Sequence, residues 1–260
     1  MRNLILVLVF TCAIGIYGIY SKTEPAGITE TKSTTTPVAQ ALSIKDSTEA
    51  QKVYHAINLE GKLNYEPFEM AYNGYLQLPI RNKDIITVID FSLPSTDKRM
   101  FVIDLKNKKL LFNSIVSHGK NSGEKYATSF SNKNGSYQSS LGFFVTENTY
   151  QGGNGFSLVL NGLEKGINDQ AKPRAVVIHG ADYCSQSVIN ATGRLGRSYG
   201  CPALPRELAK PIINTIKDGT MLFIYAQNKT YFATSRVLKA SQSMLAQKDN
   251  DDESIHQQVY

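Results

Sequence analysis

A mainly β domain with peripheral helices (α+β) is the fold class predicted for this 260-residue chain. Short runs rich in Val, Ile and Phe recur between Gly, Asn and Ser clusters from residue 86 to 226, the pattern of successive strands and turns. Helical spacing of apolar residues is confined to the stretch before Pro79 and to a segment near 211–217. An apolar share of 42% is enough for a core at this length, and no internal repeat divides the chain.

At the N-terminus, Met1-Arg2-Asn3 precedes an apolar stretch from Leu4 to Tyr20, so residues 1–20 read as a signal peptide or membrane anchor and the protein as exported, to the periplasm or cell envelope. Phe10-Thr11 before Cys12 is a poor match to the small residues of a lipidation site. Residues 21–44, with Thr34-Thr35-Thr36-Pro37, read as a flexible linker. A single folded domain is expected over 45–236, its first part (45–80) helical, followed by a disordered tail over 237–260 that carries the acidic run Asp249-Asn250-Asp251-Asp252-Glu253.

Ser47-Thr48-Glu49 opens a helix in which Val53, Ala56, Ile57 and Leu59 keep helical spacing, with Gly61 as its stop. Tyr65 to Leu76 reads as a second helix on Phe68, Ala71, Tyr72, Tyr75 and Leu76, weakened in its last half by Gly74. Strands are expected at 86–91, 99–104, 109–117, 142–147, 155–160, 175–179 and 220–226. One more helix is expected over Pro211 to Lys217, with Pro211 at its first position and Gly219 just past its end.

The net charge of +6 is spread through positions such as Lys106, Lys108, Lys109, Arg174, Arg194 and Arg197, without the dense basic block that nucleic-acid binding needs. An anionic wall polymer or membrane surface suits a mildly basic exported protein, and a solvated surface accounts for the charge without either. Export would put Cys184 and Cys201 in an oxidising compartment, where a disulfide between them is the plain structural alternative to chemistry.

Cys201 lies in Gly-Arg-Ser-Tyr-Gly-Cys-Pro-Ala-Leu (196–204), and upstream the apolar run 175–178 delivers His179-Gly180 at its end. A thiol is a strong nucleophile only as thiolate, so Cys201 needs a base, and His179 is the candidate. Asp182 lies close enough in sequence to orient the imidazole, and a backbone carbonyl is the other option. The N–H groups of Tyr199, Gly200 and Cys201 are the candidate oxyanion donors. Against this stands the bland reading, since a lone cysteine is more often a small buried hydrophobe. His118, at the end of Ile115-Val116-Ser117, reads as a substrate-side residue or as a turn residue; His55 and His256 read as structural or solvated. His118, His179, Cys184 and Cys201 lack the close paired spacing of a zinc site.

In detail the sequence resembles the murein L,D-transpeptidase catalytic domain family over roughly Asp90 to Tyr225. The resemblance rests on Ile89-Asp90-Phe91-Ser92-Leu93-Pro94-Ser95, Lys98 to Asp104, Ser117-His118-Gly119, Ser139-Ser140-Leu141-Gly142, Gly162-Leu163-Glu164, Ile178-His179-Gly180-Ala181 and Ser198-Tyr199-Gly200-Cys201, all in one order. It implies a mixed, barrel-like β-sheet around a catalytic cysteine and acyl transfer on peptidoglycan stem peptides. Cys201 would attack the L,D amide carbonyl at diaminopimelate, release the terminal D-alanine and pass the acyl group to an amine. With His179 as base, Ser198, Tyr199 and Gly200 would belong to the catalytic loop, and no metal or organic cofactor is expected.

Two positions depart from the better-known members, which carry a second histidine just before Gly-Cys and an arginine two places after it. This chain has Tyr199 and Ala203 there. Arg197 or Arg174 could supply the missing cation, which with His118 and Gly180 makes four candidate substrate-binding residues. Water in place of the amine would make the same site an L,D-carboxypeptidase. A wall-binding module without turnover is the alternative from the binding class. Peptidoglycan stem peptides are the expected partner, and a membrane only through the N-terminal segment if it is not cleaved.

Overall fold

The computed structural model describes residues 48–241 and 243. The expected signal or anchor segment, the linker, Cys12, the acidic run 249–253 and His256 lie outside the described residues. Helix α1 (Glu49–Ala56) begins at a reciprocal cap: the Thr48 hydroxyl accepts from the Gln51 N–H at 3.2 Å, and the Gln51 side chain accepts from the Thr48 N–H at 2.9 Å. Its buried side chains are Ala50 and Tyr54, with Ile57 at the C-cap; Ala56, expected on the core face, is exposed. Tyr54 explains the rotation, because its hydroxyl donates to the Leu63 carbonyl at 2.6 Å while its ring meets Tyr65 and Phe68.

Helix α2 (Tyr65–Gln77) runs straight through Gly74. A side chain at Gly74 would fall inside the ring of Phe143, so the glycine is there for close approach to the sheet. Leu76, expected on the core face, is 53% exposed.

Eight strands form one mixed sheet: β1 (Ile85–Asp90), β2 (Met100–Asp104), β3 (Lys109–Ser114), β4 (Gly142–Gly152), β5 (Gly155–Gly162), β6 (Val177–Gly180), β7 (Ala203–Leu204) and β8 (Met221–Tyr225). Their order is β3-β2-β1-β8-β4-β5-β6-β7. The β1–β8 and β6–β7 pairs are parallel and the others antiparallel. Every residue of β8 and nearly every residue of β1 is buried, as expected of strands covered on both faces.

The two ends of this sheet meet. Just beyond β3, the Ser117 N–H donates to the Ala203 carbonyl of β7 at 2.8 Å, and a second bridge joins Gly119 to Ser198. The sheet is therefore nearly closed and barrel-like, with its seam running beside Cys201.

Helices α3 (Gln186–Thr192), α4 (Arg206–Ile216) and α5 (Lys229–Thr234) complete the elements. The expected helix 211–217 starts five residues earlier: α4 is entered from Pro205, and Pro211 lies inside it. Ala209, Ile212, Ile213 and Ile216 are its buried face, a spacing that Pro211 interrupts without breaking. Residues 237–241, expected in the tail, are helical, and Leu238 joins the core at 5% exposure. A buried Glu164 ties this end to the sheet, accepting from the Phe143 N–H (2.9 Å), the Tyr231 hydroxyl (3.0 Å) and the Ser235 hydroxyl. No helix among the described residues is long and apolar enough to cross a membrane.

Candidate active site

Parallel pairing of β6 with β7 sets His179 opposite Ala203, so Cys201 enters the site two residues before the partner of His179. The Cys201 thiol sits at the end of that ladder, receiving the Val177 N–H at 3.5 Å and lying 3.7 Å from the Ala175 carbonyl. Ala175 turns back with φ +55° to enter β6. Burial pushes the Cys201 thiol up, while the Val177 N–H and the nearby Arg174 charge pull it back.

His179 is buried, and its Nδ1 lies 3.1 Å from the Gly180 carbonyl. Nδ1 therefore carries the proton and Nε2 the free lone pair. Burial holds the imidazole below its ordinary value, partly offset by the Gly180 bond and reinforced by Arg206. A neutral thiol and a neutral imidazole are thus placed at one end of neighbouring strands, although the sulfur's hydrogen-bond partners here are backbone groups. Of the two options for orienting the imidazole, the geometry selects the carbonyl. Asp182 points away and forms an exposed fork with Arg206, one arm at 2.8 Å.

Ser198 shapes the loop before the nucleophile, its hydroxyl donating to the Cys201 carbonyl at 2.6 Å and accepting the Gly200 N–H at 3.0 Å. That bond removes the Gly200 N–H from the candidate oxyanion donors. The Tyr199 and Cys201 N–H groups make no hydrogen bond to a described residue. Gly200 adopts φ +124°, and a Cβ there would meet the Gln138 carbonyl at 2.8 Å, so position 200 admits only glycine without strain. The Ser139 hydroxyl donates to the Gly200 carbonyl at 3.2 Å and accepts the Gly119 N–H at 3.0 Å.

The four candidate substrate-binding residues are all occupied within the protein. Arg174 spends its guanidinium on the 131–140 segment, donating to the Ser131 and Gln138 carbonyls at 2.8 Å and to the Ser140 hydroxyl at 2.7 Å. Arg197 donates to the Lys120 and Gly123 carbonyls at 3.0 Å and pairs with Glu124 at 2.6 Å. His118 is 1% exposed; its Nδ1 accepts from Arg99 at 2.8 Å and its Nε2 faces the Gly123 carbonyl at 3.3 Å. Burial and the Arg99 charge lower it to about 4. Gly180 is buried beneath Arg206 and Ala209. Arg174 alone retains an electrostatic link to Cys201.

Cys184 and Cys201 are both free. Cys184 is fully buried beside Ser117 and Arg99, with burial pushing its thiol up to about 12, so the disulfide alternative is not realised. No three His, Cys, Asp or Glu side chains converge on a metal position among the described residues.

Sequence reasoning named Tyr199 but missed its neighbours Lys120 and Tyr137. Tyr199 is 69% exposed and its ring lies 4.8 Å from that of Tyr137, with the Lys120 ammonium 4.9 Å from both centroids. Residues 120 and 137 carry no motif; the bridge between Gly119 and Ser198 and the Asn121 N–H bond to the Tyr137 carbonyl bring them beside residue 199.

The model of one family, the L,D-transpeptidase catalytic domain, matches residues 59–225. No curated protein sequence matches significantly. Among solved structures, an L,D-transpeptidase from Mycobacterium smegmatis is 13% identical with TM-score 0.34, covering 55% of this chain and 59% of its own. The helical cell shape determining protein Pgp2 from Campylobacter jejuni is 15% identical with TM-score 0.38, covering 56% and 48%. L,D-transpeptidase 1 from Mycobacterium tuberculosis is 14% identical with TM-score 0.31, covering 55% and 61%. The chain thus spans about half to three fifths of the length of these structures.

Proposed function

Since the chain belongs to the L,D-transpeptidase catalytic domain family, we propose that it is an exported enzyme that modifies peptidoglycan by acyl transfer through Cys201. The observation that carries this reading is the tautomer of His179: Nδ1–H is tied to the Gly180 carbonyl, leaving Nε2 as the proton acceptor on the strand beside the nucleophile. For the proton to pass, the sulfur exchanges the Val177 N–H for that nitrogen, and catalytic contacts often tighten only when substrate is present.

In the first half-reaction, the Sγ proton passes to His179 Nε2 and the sulfur adds to the L,D amide carbonyl at diaminopimelate. The Tyr199 and Cys201 N–H groups, free of partners among the described residues, receive the developing oxyanion. On collapse the C–N bond breaks, and His179 returns its proton to the leaving D-alanine amine. In the second half, an amine on a neighbouring stem or a protein attacks the thioester, gives its proton to His179 and forms the new amide, restoring the thiol. Water in place of the amine yields a free carboxylate, making the protein an L,D-carboxypeptidase; product analysis with and without an amine acceptor assigns the reaction. Delivery to the periplasm or envelope rests on the apolar stretch Leu4 to Tyr20, uncleaved or not.

The reading is tested by incubating the protein with a carbapenem and with a stem tetrapeptide, then measuring intact mass. A single acyl adduct, lost in Cys201→Ala, is expected. Absence of any adduct on folded, reduced protein overturns it.

A further inference from the structure

Lys120 is an exposed cation on the segment that pairs with the loop before Cys201, and its ammonium is not taken up by the described residues. Its Nζ has no carboxylate or hydrogen-bond partner among the described residues, whereas Arg174, Arg194, Arg197 and Arg206 all spend theirs on carbonyls or acids. The ammonium is positioned all the same. It rests in the open V between the rings of Tyr137 and Tyr199, which meet at 45°. The backbone fixes both walls: the Lys120 N–H donates to the Ser198 carbonyl at 2.8 Å, and the Asn121 N–H to the Tyr137 carbonyl at 3.2 Å.

Neither ring is needed for the core, since Tyr137 is 42% exposed and Tyr199 69%. Tyr137 moreover holds φ +54°, a left-handed conformation that a bulky side chain adopts only when its surroundings impose it. An exposed aromatic pair, one member on strained backbone and the other two residues before Cys201, that steadies a cation unpaired among the described residues is an arrangement for binding an anion.

We propose that Lys120, Tyr137 and Tyr199 form the subsite for the free terminal carboxylate of the donor peptide. This rests on the reading of the site as one that cleaves stem peptides. In such a donor, the carboxylate lies within one residue of the attacked carbonyl, on the leaving side, within reach of a lysine on the segment that pairs with the loop before the nucleophile. A cation held there selects a donor that ends one residue past the scissile bond over a longer or capped one. It also supplies the charge that Ala203 does not, from a different segment of the chain.

The test separates binding from chemistry. Binding of a stem tetrapeptide and of its C-terminal amide is measured by calorimetry on the full chain carrying Cys201→Ala, alone and combined with Lys120→Met, Lys120→Arg or Tyr199→Ala. The acid is expected to bind about fivefold or more tighter than the amide, as for a partly exposed charge-assisted pair. Lys120→Met removes that preference, Lys120→Arg keeps part of it, and raising the salt concentration narrows it only where residue 120 is charged. Equal binding of acid and amide by the Cys201→Ala protein overturns the proposal, as does a preference that survives Lys120→Met. So does binding lost in Tyr199→Ala but indifferent to residue 120, which would mark the rings as a stacking platform for sugar. Acylation of the protein with Cys201 intact is followed in parallel: no adduct with either donor defeats the catalytic reading, while adduct formation without acid preference defeats this subsite alone.

Discussion

At the scale of single residues, the site is a neutral pair that ionises on demand. Burial raises the Cys201 thiol above its ordinary value and lowers His179 below its own, so neither group is charged near neutral pH. The acylation rate is then expected to fall on the acid side only when His179 takes a proton, with a midpoint below the ordinary histidine value of 6.5, and to stay level across neutral pH. Stopped-time mass spectrometry of adduct formation between pH 4 and 9 checks this; a midpoint at or above pH 7 contradicts the assignment of His179 as a desolvated neutral base. The segments that carry Cys201, His179 and Ser198 stood out in the sequence because each is a compact local run. The partners of Arg174, Arg197 and His118 within the protein were not legible, for a physical reason. A sequence displays a cation or an imidazole but not the carbonyls it satisfies, and those carbonyls lie in segments up to 77 residues away, as for Arg197 and Lys120.

Elements were legible where burial imposes a period or a continuous apolar run. Strands β1, β2, β4, β5, β6 and β8 lie close to the expected runs, and α1 and α2 begin at the expected residues. Strand β7 is two residues long and α3 buries none of its side chains, so neither leaves a pattern to find. Gly74 shows how tertiary packing overrides propensity. In an isolated helix Gly→Ala stabilises by about 1 kcal/mol. Here the new methyl would enter the Phe143 ring, which is stacked on Phe223 at 4.3 Å and has little room to retreat. Gly74→Ala should therefore destabilise by about 1–3 kcal/mol, the usual cost of overpacking. In a double-mutant cycle with Phe143→Leu, read by urea unfolding, most of that cost should vanish; additive losses would mean that the ring does not set the identity of residue 74.

For the whole molecule, the seam where the sheet closes decides both stability and the shape of the site. Closure joins segments far apart in the chain, which is why no local pattern announced it. His118 lies in that seam: its carbonyl accepts the Ser198 N–H at 3.0 Å, and its ring is wedged between Arg99 and the Gly123 carbonyl, edge-on to Phe91. Protonating Nδ1 would set two donors against each other, since Arg99 already donates to it, and Arg197 adds further positive charge nearby. The folded protein thus holds His118 at about 4 against an ordinary 6.5. Above pH 6.5 both folded and unfolded chains leave it neutral, and its full contribution to stability is present. As pH falls from 6.5 toward 4, only the unfolded chain takes the proton, so stability is lost progressively, by about 3 kcal/mol in all, and the loss levels off once the folded state is protonated too. For a domain of this size that is a fall in Tm of roughly 6–12 °C. His118→Asn keeps an acceptor for Arg99 but cannot titrate, so its Tm should decline less steeply than that of the unsubstituted protein between pH 6.5 and 4, whatever its starting stability. Parallel thermal melts of the two proteins across that range provide the comparison; identical slopes would show that the seam does not set the acid limit. Because Ser198 hangs from the same carbonyl, the catalytic loop is expected to loosen in the same interval. Acid inactivation would then reflect loss of the site's framework as well as protonation of its base.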